Sequence, residues 1–118
     1  MANRHRGEVD AVLDGRRYTL CLTLGALAEL ESTLGAGDLV GLAERFSAGR
    51  LKAMDAVRVV GAALRGAGHD IDDAAVARMK VEKGAIGVAG IVAELFAVTF
   101  GGAPEEGEAP ANPTMPPA

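Results

Sequence analysis

The side chains that could bind a metal ion are few and scattered along this chain. His5 and His69 have no Cys, Asp or Glu neighbours at the regular spacing of a zinc site. His69 is followed by Asp70, Asp72 and Asp73, and this acidic cluster resembles a weak metal site. A helix starting after Asp72 explains the same residues, because a capping Asp and further carboxylates complement the positive end of a helix dipole. We therefore expect no metal and no cofactor.

Candidate nucleophiles and acid–base pairs are equally sparse. Cys21 lies near the end of a predicted strand with no His close in sequence, so we expect a small strand residue rather than a catalytic thiol. Glu29 and Glu31 are two residues apart on a predicted helix and do not converge, which favours a solvated face or a partner contact. The later glycines lack the GxxxxGK[ST] pattern of a phosphate loop. These patterns predict a protein that is not an enzyme.

Composition and charge reduce the number of functional classes that fit this chain. The chain has 118 residues and a net charge of −4. The last 18 residues hold three of the 16 acidic residues and none of the 12 basic ones, so the body is nearly neutral. That balance argues against nucleic acid as a partner. A single cysteine excludes an internal disulfide, and with no apolar leader at the start we expect a reduced, cytoplasmic setting.

A tight β-hairpin is predicted over residues 7–22. Asp14-Gly15 is the two-residue turn, because a type I′ turn needs positive φ at both central positions. Leu13 then pairs with Arg16, and side chains alternate along each strand. One apolar face results, which closes the chain's own core or meets another subunit: Val9, Ala11, Leu13, Tyr18, Leu20 and Leu22.

Two amphipathic helices are predicted after the hairpin. Thr23 is the expected N-cap of the first helix, which ends at the glycines from Gly35 onward. Asp38 can cap the second helix, which ends near residue 47. The apolar stripes of the two helices are Leu27, Leu30 and Leu34, and then Leu39, Leu42, Ala43 and Phe46.

Three further helices complete the predicted body. The third covers about residues 51–65. Its polar side includes Asp55 and Arg65, and its apolar stripe is Ala53, Val57, Val60 and Leu64. The fourth is short and starts after Asp72. The fifth, about residues 84–100, is apolar nearly all round and so needs cover on most sides, as the central core helix or from another subunit. Glu94 and its modest length argue against a membrane span.

The organisation that follows is a single domain over residues 7–100. A flexible N-terminal arm, residues 1–6, precedes it, and a tail, residues 101–118, contains all five prolines together with Gly, Ala and Glu. Such a composition buries too little apolar surface to order itself, so we expect a disordered tail. The predicted fold class is α+β, mostly α: an N-terminal hairpin, then a bundle of about five helices.

A resemblance to a known family rests on three stretches. GEVDAVLDGRRYTLCLTLGALAELE, then GDLVGLAERF, and later AVRVVGAALRGAGHDIDD resemble the small tail proteins of gene transfer agents, which are grouped with phage tail assembly chaperones. The resemblance covers about residues 7–100, and LTLGALAELE is its most specific part. It implies a cytoplasmic chaperone in the bacterial host, which binds the tape measure protein and the tail tube protein during assembly of a phage-like particle.

The alternative is a structural, tube-associated component that stays in the particle. The predicted single hairpin fits a chaperone better, because a subunit of a closed tube ring needs many strands. A small DNA-binding regulator is disfavoured by the neutral body. Self-association through the hairpin or the fifth helix is a further hypothesis. We expect no membrane partner. The candidate partner-binding residues, which serve equally well as core, are Val9, Ala11, Tyr18, Leu20, Leu27, Leu30, Leu34, Leu39, Leu42 and Phe46.

Overall fold

An N-terminal β-hairpin packs against α-helices, which makes the fold α+β and mostly helical. The structure, a computed structural model, describes residues 2–35, 40, 41, 44 and 52–100. The elements in chain order are a 3-10 turn at Arg4–Arg6, strands β1 (Glu8–Leu13) and β2 (Arg16–Cys21), and helices α1 (Leu24–Leu34), α2 (Ala53–Gly66), α3 (Asp73–Ala77) and α4 (Gly84–Phe100).

The helix count differs from the prediction. The described residues contain four complete α-helices, where the sequence predicted about five. Of the predicted second helix only Val40, Gly41 and Glu44 are described, and all three are helical. Leu39, Leu42 and Phe46 lie outside the described residues, and so does the predicted disordered tail. Those parts of the sequence interpretation stay predictions.

The hairpin has the predicted register. β1 and β2 pair antiparallel, with Leu13 opposite Arg16 and Val9 opposite Leu20. Asp14 and Gly15 have φ angles of 57° and 76°, the positive values that the predicted turn requires. On the outer face, the Thr19 hydroxyl donates to Asp10 Oδ1 at 3.2 Å. The apolar face is therefore presented to the helices as the alternation of side chains demands.

The predicted N-terminal arm lies against β1. The backbone N–H of Ala2 donates to Asp10 Oδ2 at 3.3 Å, and that of Asn3 donates to Glu8 Oε1 at 3.0 Å. The backbone N–H of Glu8 in turn donates to the carbonyl of Asn3 at 3.0 Å. These contacts join the start of the chain to the first residues of the strand.

One hydrophobic core joins the hairpin to all four helices. α2 packs against β2, α1, α3 and α4, and α4 also packs against β1. The apolar face of the hairpin therefore closes the chain's own core, which was one of the two predicted alternatives. The side chains that the core buries almost completely are Val9, Leu13, Leu20, Leu30, Val59, Leu64, Val92 and Leu95.

Local signals define α1. Thr23 is its N-cap, with the hydroxyl accepting from the N–H of Ala26 at 3.1 Å. Gly35 ends the helix in a left-handed conformation with φ of 67°, and its N–H donates to the carbonyl of Glu31. Both ends agree with the sequence prediction, because each depends on a residue type suited to its cap.

Asp55, on the predicted polar side of α2, is buried. Asp55 is only 6% exposed, and its carboxylate accepts from the backbone N–H of Lys52 at 3.1 Å. This bond satisfies one of the donors left free at a helix start. Asp55 is thus part of the cap of α2 and not of a water-facing stripe.

The last helix, α4, has the predicted bounds but is buried on one side only. Val92, Leu95 and Phe96 enter the core, whereas Ile86 is 79% exposed. A Cβ on Gly87 would lie 1.9 Å from the carbonyl oxygen of Glu82, so this glycine lets the helix pack onto the preceding turn. None of the described helices has the length and apolar character needed to cross a membrane.

Candidate functional site

An apolar groove of about 520 Å³ opens between the N-terminal halves of α2 and α4. The loop that follows α3 forms another of its walls, and Leu13 of β1 also lines it. The larger side chains that line it are Val57, Val60, Met79, Val81, Val88 and Ile91. Its volume lies within the range of about 300–1,000 Å³ that is common for ligand sites. It is therefore large enough to receive side chains of a partner.

Alanines explain why the groove stays open. Ala53 of α2, Ala77 of α3, and Ala85 and Ala89 of α4 line it, and all four are exposed. Protein interiors are packed about as densely as organic crystals, and a methyl side chain cannot fill the space between helices at this separation. The sequence therefore leaves a gap on this side of the molecule.

The hairpin turn anchors one wall of the groove. The N–H of Asp14 donates to the carbonyl of Lys80 at 2.7 Å, and the N–H of Lys80 donates to Asp14 Oδ1 at 3.3 Å. Leu13 also forms an antiparallel bridge with Val81. These bonds occupy the end of the β1 edge, so that part of the edge is not free for strand addition by a neighbour.

Arg65, near the C-terminal end of α2, links three helices. Its Nη1 lies 3.1 Å from Asp73 Oδ1 and donates to the carbonyl of Ile71 at 3.0 Å, while its Nη2 pairs with Glu29 of α1. Burial alone would lower the pKa of Arg65, but hydrogen bonds and charges from Glu29 and Asp73 outweigh it and raise the pKa. Arg65 is therefore permanently charged and connects α1 and α3 to α2.

The candidate partner-binding residues of the hairpin and α1 lie in the core and not in the groove. Val9, Ala11, Leu20, Leu27, Leu30 and Leu34 are core residues, each at most 7% exposed, and Tyr18 is half-buried against them. None of these residues lines the groove. In this conformation they offer a partner little surface, and their role in binding stays a prediction.

Sequence reasoning missed the groove itself. Ala53, Val57 and Val60 form the predicted stripe of α2, yet Ala53 is exposed and Val57 is only partly buried. The signal was present in α4, whose apolar character exceeds what a small body can cover. A periodic stripe specifies the side of a helix but not the distance to its neighbour, and that distance decides whether a gap remains.

The residues that the sequence analysis weighed as metal ligands make structural contacts. The carboxylate of Asp72 accepts from the N–H of Ala75 at 2.9 Å and so caps α3, as predicted. The His69 ring makes an edge-on contact with the Tyr18 ring at 5.2 Å. Across the described ranges, no group of three or more His, Cys, Asp or Glu side chains is placed to hold a metal ion.

Cys21 has the environment of an unreactive thiol. Burial and then the negative charge of Glu8 raise its pKa, and the charge of Arg6 opposes them only in part. Its Sγ lies 3.7 Å from the backbone carbonyl of Arg6, to which it donates. A raised pKa keeps the thiol neutral, whereas a nucleophilic cysteine needs the thiolate.

The fold and the groove define a small α+β protein whose candidate site is an open apolar groove between two helices. Comparison with protein families then gives a specific result. The family described as "Phage tail tube protein, GTA-gp10" matches residues 6–102, and the chain belongs to this family. The match spans the hairpin and every described helix. The resemblance to gene transfer agent and phage tail proteins is thereby confirmed at the level of the family, but not specifically for an assembly chaperone. Comparisons with curated proteins and with solved structures gave no match.

Proposed function

We propose that this chain is a structural, tube-associated component of the tail of a phage-like gene transfer agent, which it serves by protein–protein contacts and not by catalysis. The observation that carries the proposal is the tail tube family match over residues 6–102. The apolar groove between α2 and α4 is the surface best suited to such a contact, because a concave apolar site excludes water from the side chains it receives.

A tail assembly chaperone is the second candidate, and one observation favours it. The described residues contain one sheet of only two strands, while the rest is helical. A subunit that closes a ring of strands is expected to bring more of them. A helical body with an apolar groove is suited to holding a helix of the tape measure protein before the tube forms around it. In either role we propose that the chain meets its partners, including the tail tube protein, in the cytoplasm of the bacterial host.

The two candidates differ in what remains in the finished particle. Quantitative mass spectrometry of purified particles should find a structural component in fixed ratio to the main tail tube subunit. A chaperone would be absent or far below that ratio, although its deletion would still abolish tails. An unrelated host protein of similar abundance serves as the contamination control. Normal tails and normal gene transfer after deletion would refute both candidates.

The partner set can be tested separately by co-expression. Pull-down of the tagged chain with the tape measure protein or the tail tube protein should recover whichever protein it contacts. Solubility of the tape measure protein with and without the chain then distinguishes a chaperone from a passive binder. If that protein is equally soluble alone, the chaperone role fails.

A further inference from the structure

The side of α4 that faces water is apolar for about three turns. Glu94 is the single charged residue in the whole helix. A surface helix normally carries charged or polar residues on the side opposite the core, so this side has the composition of a surface that another protein covers. We call its exposed residues the outer face of α4: Gly84, Ala85, Ile86, Ala89, Gly90, Ala93 and Glu94.

The outer face is continuous with the apolar groove. Ala85 and Ala89 belong to both, because they are exposed and also line the groove. Ile86 follows Ala85 and is the most exposed large apolar side chain of α4. On the opposite lip, Met54 of α2 follows the lining residue Ala53 and is also exposed. One surface thus has an apolar hollow and, beside it, two large apolar side chains in water.

We propose that a second copy of this chain covers this surface, with the two α4 helices antiparallel across a two-fold axis and Ile86 of each copy seated at the groove of the other. This step rests on the proposed contact function and adds the identity of the partner. A two-fold interface brings the same patch of both chains together, so the patch must be complementary to itself. Here each copy offers both the hollow and a side chain that fills it.

Small residues allow the two α4 helices to approach closely. Ala85, Ala89 and Ala93 are spaced by four residues and so form one row along the helix. Gly90 lies beside this row, and a Cβ there would face open space among the described residues. Helix axes approach to about 8 Å where the side chains between them are small. A foreign helix in the groove alone would leave Gly90 and Ala93 in water, whereas α4 of a second copy covers the row and the groove together.

The charges on α4 favour an antiparallel pairing with itself. The outer face runs from Gly84 to Glu94, and Ala89 is its midpoint. Pairing about that midpoint sets Glu94 of each copy against Gly84 of the other, where the helix begins. The N-terminal end of a helix is partially positive, and the exposed Lys83 precedes it. The carboxylate therefore meets positive charge at both symmetry-related positions, whereas a parallel pairing would set the two Glu94 side chains together.

Sedimentation of the full chain over a concentration series tests for the dimer. Ile86→Lys places a charge at the groove of the other copy and should raise the dimer Kd at least about tenfold. Leu24→Lys is the matched control, because Leu24 and Ile86 are 82% and 79% exposed, each in the first turn of its helix, and Leu24 does not line the groove. Circular dichroism melts establish that both variants fold. A parent chain that stays monomeric up to millimolar concentration, or equal effects of the two substitutions, would overturn the proposal.

Charge reversal tests the antiparallel arrangement. Glu94→Lys and Lys83→Glu each set like charges opposite one another at both symmetry-related positions, so each variant alone should dimerise several-fold more weakly than the parent chain. The heterodimer of the two variants has opposite charges at both positions and should recover the parent Kd. A heterodimer of either variant with the parent chain restores only one position and should recover less. Equal Kd values for these two kinds of heterodimer at low salt would contradict the proposed pairing.

Deletion and pull-down experiments separate the dimer from the proposed function. A dimer that depends on Ile86, in a chain whose deletion leaves tails normal, would support the inference and refute the proposed function. A monomeric chain that tails require would do the reverse. A monomer that captures another tail protein, and loses it on Ala89→Trp, would overturn the inference by showing a different occupant of the groove.

Discussion

Arg65 and Asp73 form an ion pair that fixes α3 against α2, with Nη1 and Oδ1 3.1 Å apart. The pair depends on a glycine, because a Cβ on Gly61 would lie 2.1 Å from Asp73 Oδ1. The absence of a side chain at Gly61 lets the carboxylate approach the surface of α2. Since Ala77 at the end of α3 lines the groove, this contact also sets the position of one groove wall.

Removal of the Arg65 side chain should destabilise the fold. Arg65→Ala breaks contacts to α1 and α3 and leaves Glu29 and Asp73 without their cation. Hydrogen bonds to charged groups contribute about 1.5–3 kcal/mol, and partial exposure at 30% reduces this, so we expect a loss of about 1–2 kcal/mol. Urea denaturation measures it, with Arg17→Ala as the control. A loss no larger than that of the control would contradict the linking role of Arg65.

Two helical glycines should respond oppositely to alanine. At Gly66 a Cβ would lie 2.2 Å from the backbone carbonyl oxygen of Cys21, so Gly66→Ala must push α2 away from β2. At Gly25 a Cβ would lie 3.9 Å from Thr23 Oγ1, an ordinary van der Waals distance, and Gly25→Ala gains helix propensity.

We expect Gly66→Ala to cost roughly 1–3 kcal/mol and Gly25→Ala to be neutral or to stabilise by up to about 1 kcal/mol. Thermal melts of the two variants beside the parent chain are sufficient to test this. Similar melting temperatures for both would mean that α2 and β2 are not in the close contact described.

The features that sequence predicted well depend on neighbours along the chain. Asp14-Gly15 fixes the turn, and the turn fixes every pair of the hairpin. Thr23 and Asp72 cap helices through bonds that reach only three residues ahead. The bounds of α4 follow from a continuous apolar run. Each of these signals is complete within about one element, so the sequence alone contains it.

The features that sequence missed depend on packing between distant elements. Glu29 was expected on a solvated face or at a partner, yet it pairs with Arg65, 36 positions away. Asp55 was placed on a polar side but is buried at a helix start. The groove arises from alanines on separate helices, and nothing in their local pattern gives the distance between those helices. Long-range geometry, and not residue type, decided these three cases.

Loss of the α1 cap should be measurable against a matched threonine. Thr23→Ala removes the hydroxyl that accepts from the N–H of Ala26, and substitution of an N-cap costs about 1 kcal/mol. Thr33→Ala removes a hydroxyl that only donates back to the carbonyl of Glu29 within α1. Alanine has the higher helix propensity there, so the control should be neutral or slightly stabilising. Urea midpoints that fall equally for both would show that Thr23 does not act as a cap.

The reactivity of Cys21 should depend on pH in a direction that its neighbours determine. Because its pKa is raised, iodoacetamide should alkylate the folded chain more slowly than the urea-unfolded chain near the ordinary thiol pKa. A raised folded-state pKa also means that the thiol's contribution to stability is present below the unfolded pKa and is lost as pH rises through the folded pKa.

Glu8→Gln should lower the pKa of Cys21 and speed its alkylation, because a negative charge that disfavours the thiolate is removed. Arg6→Gln should raise the pKa and slow it, because Arg6 favours the thiolate. Rate–pH profiles that move in the same direction for both variants would show that charge does not control this thiol.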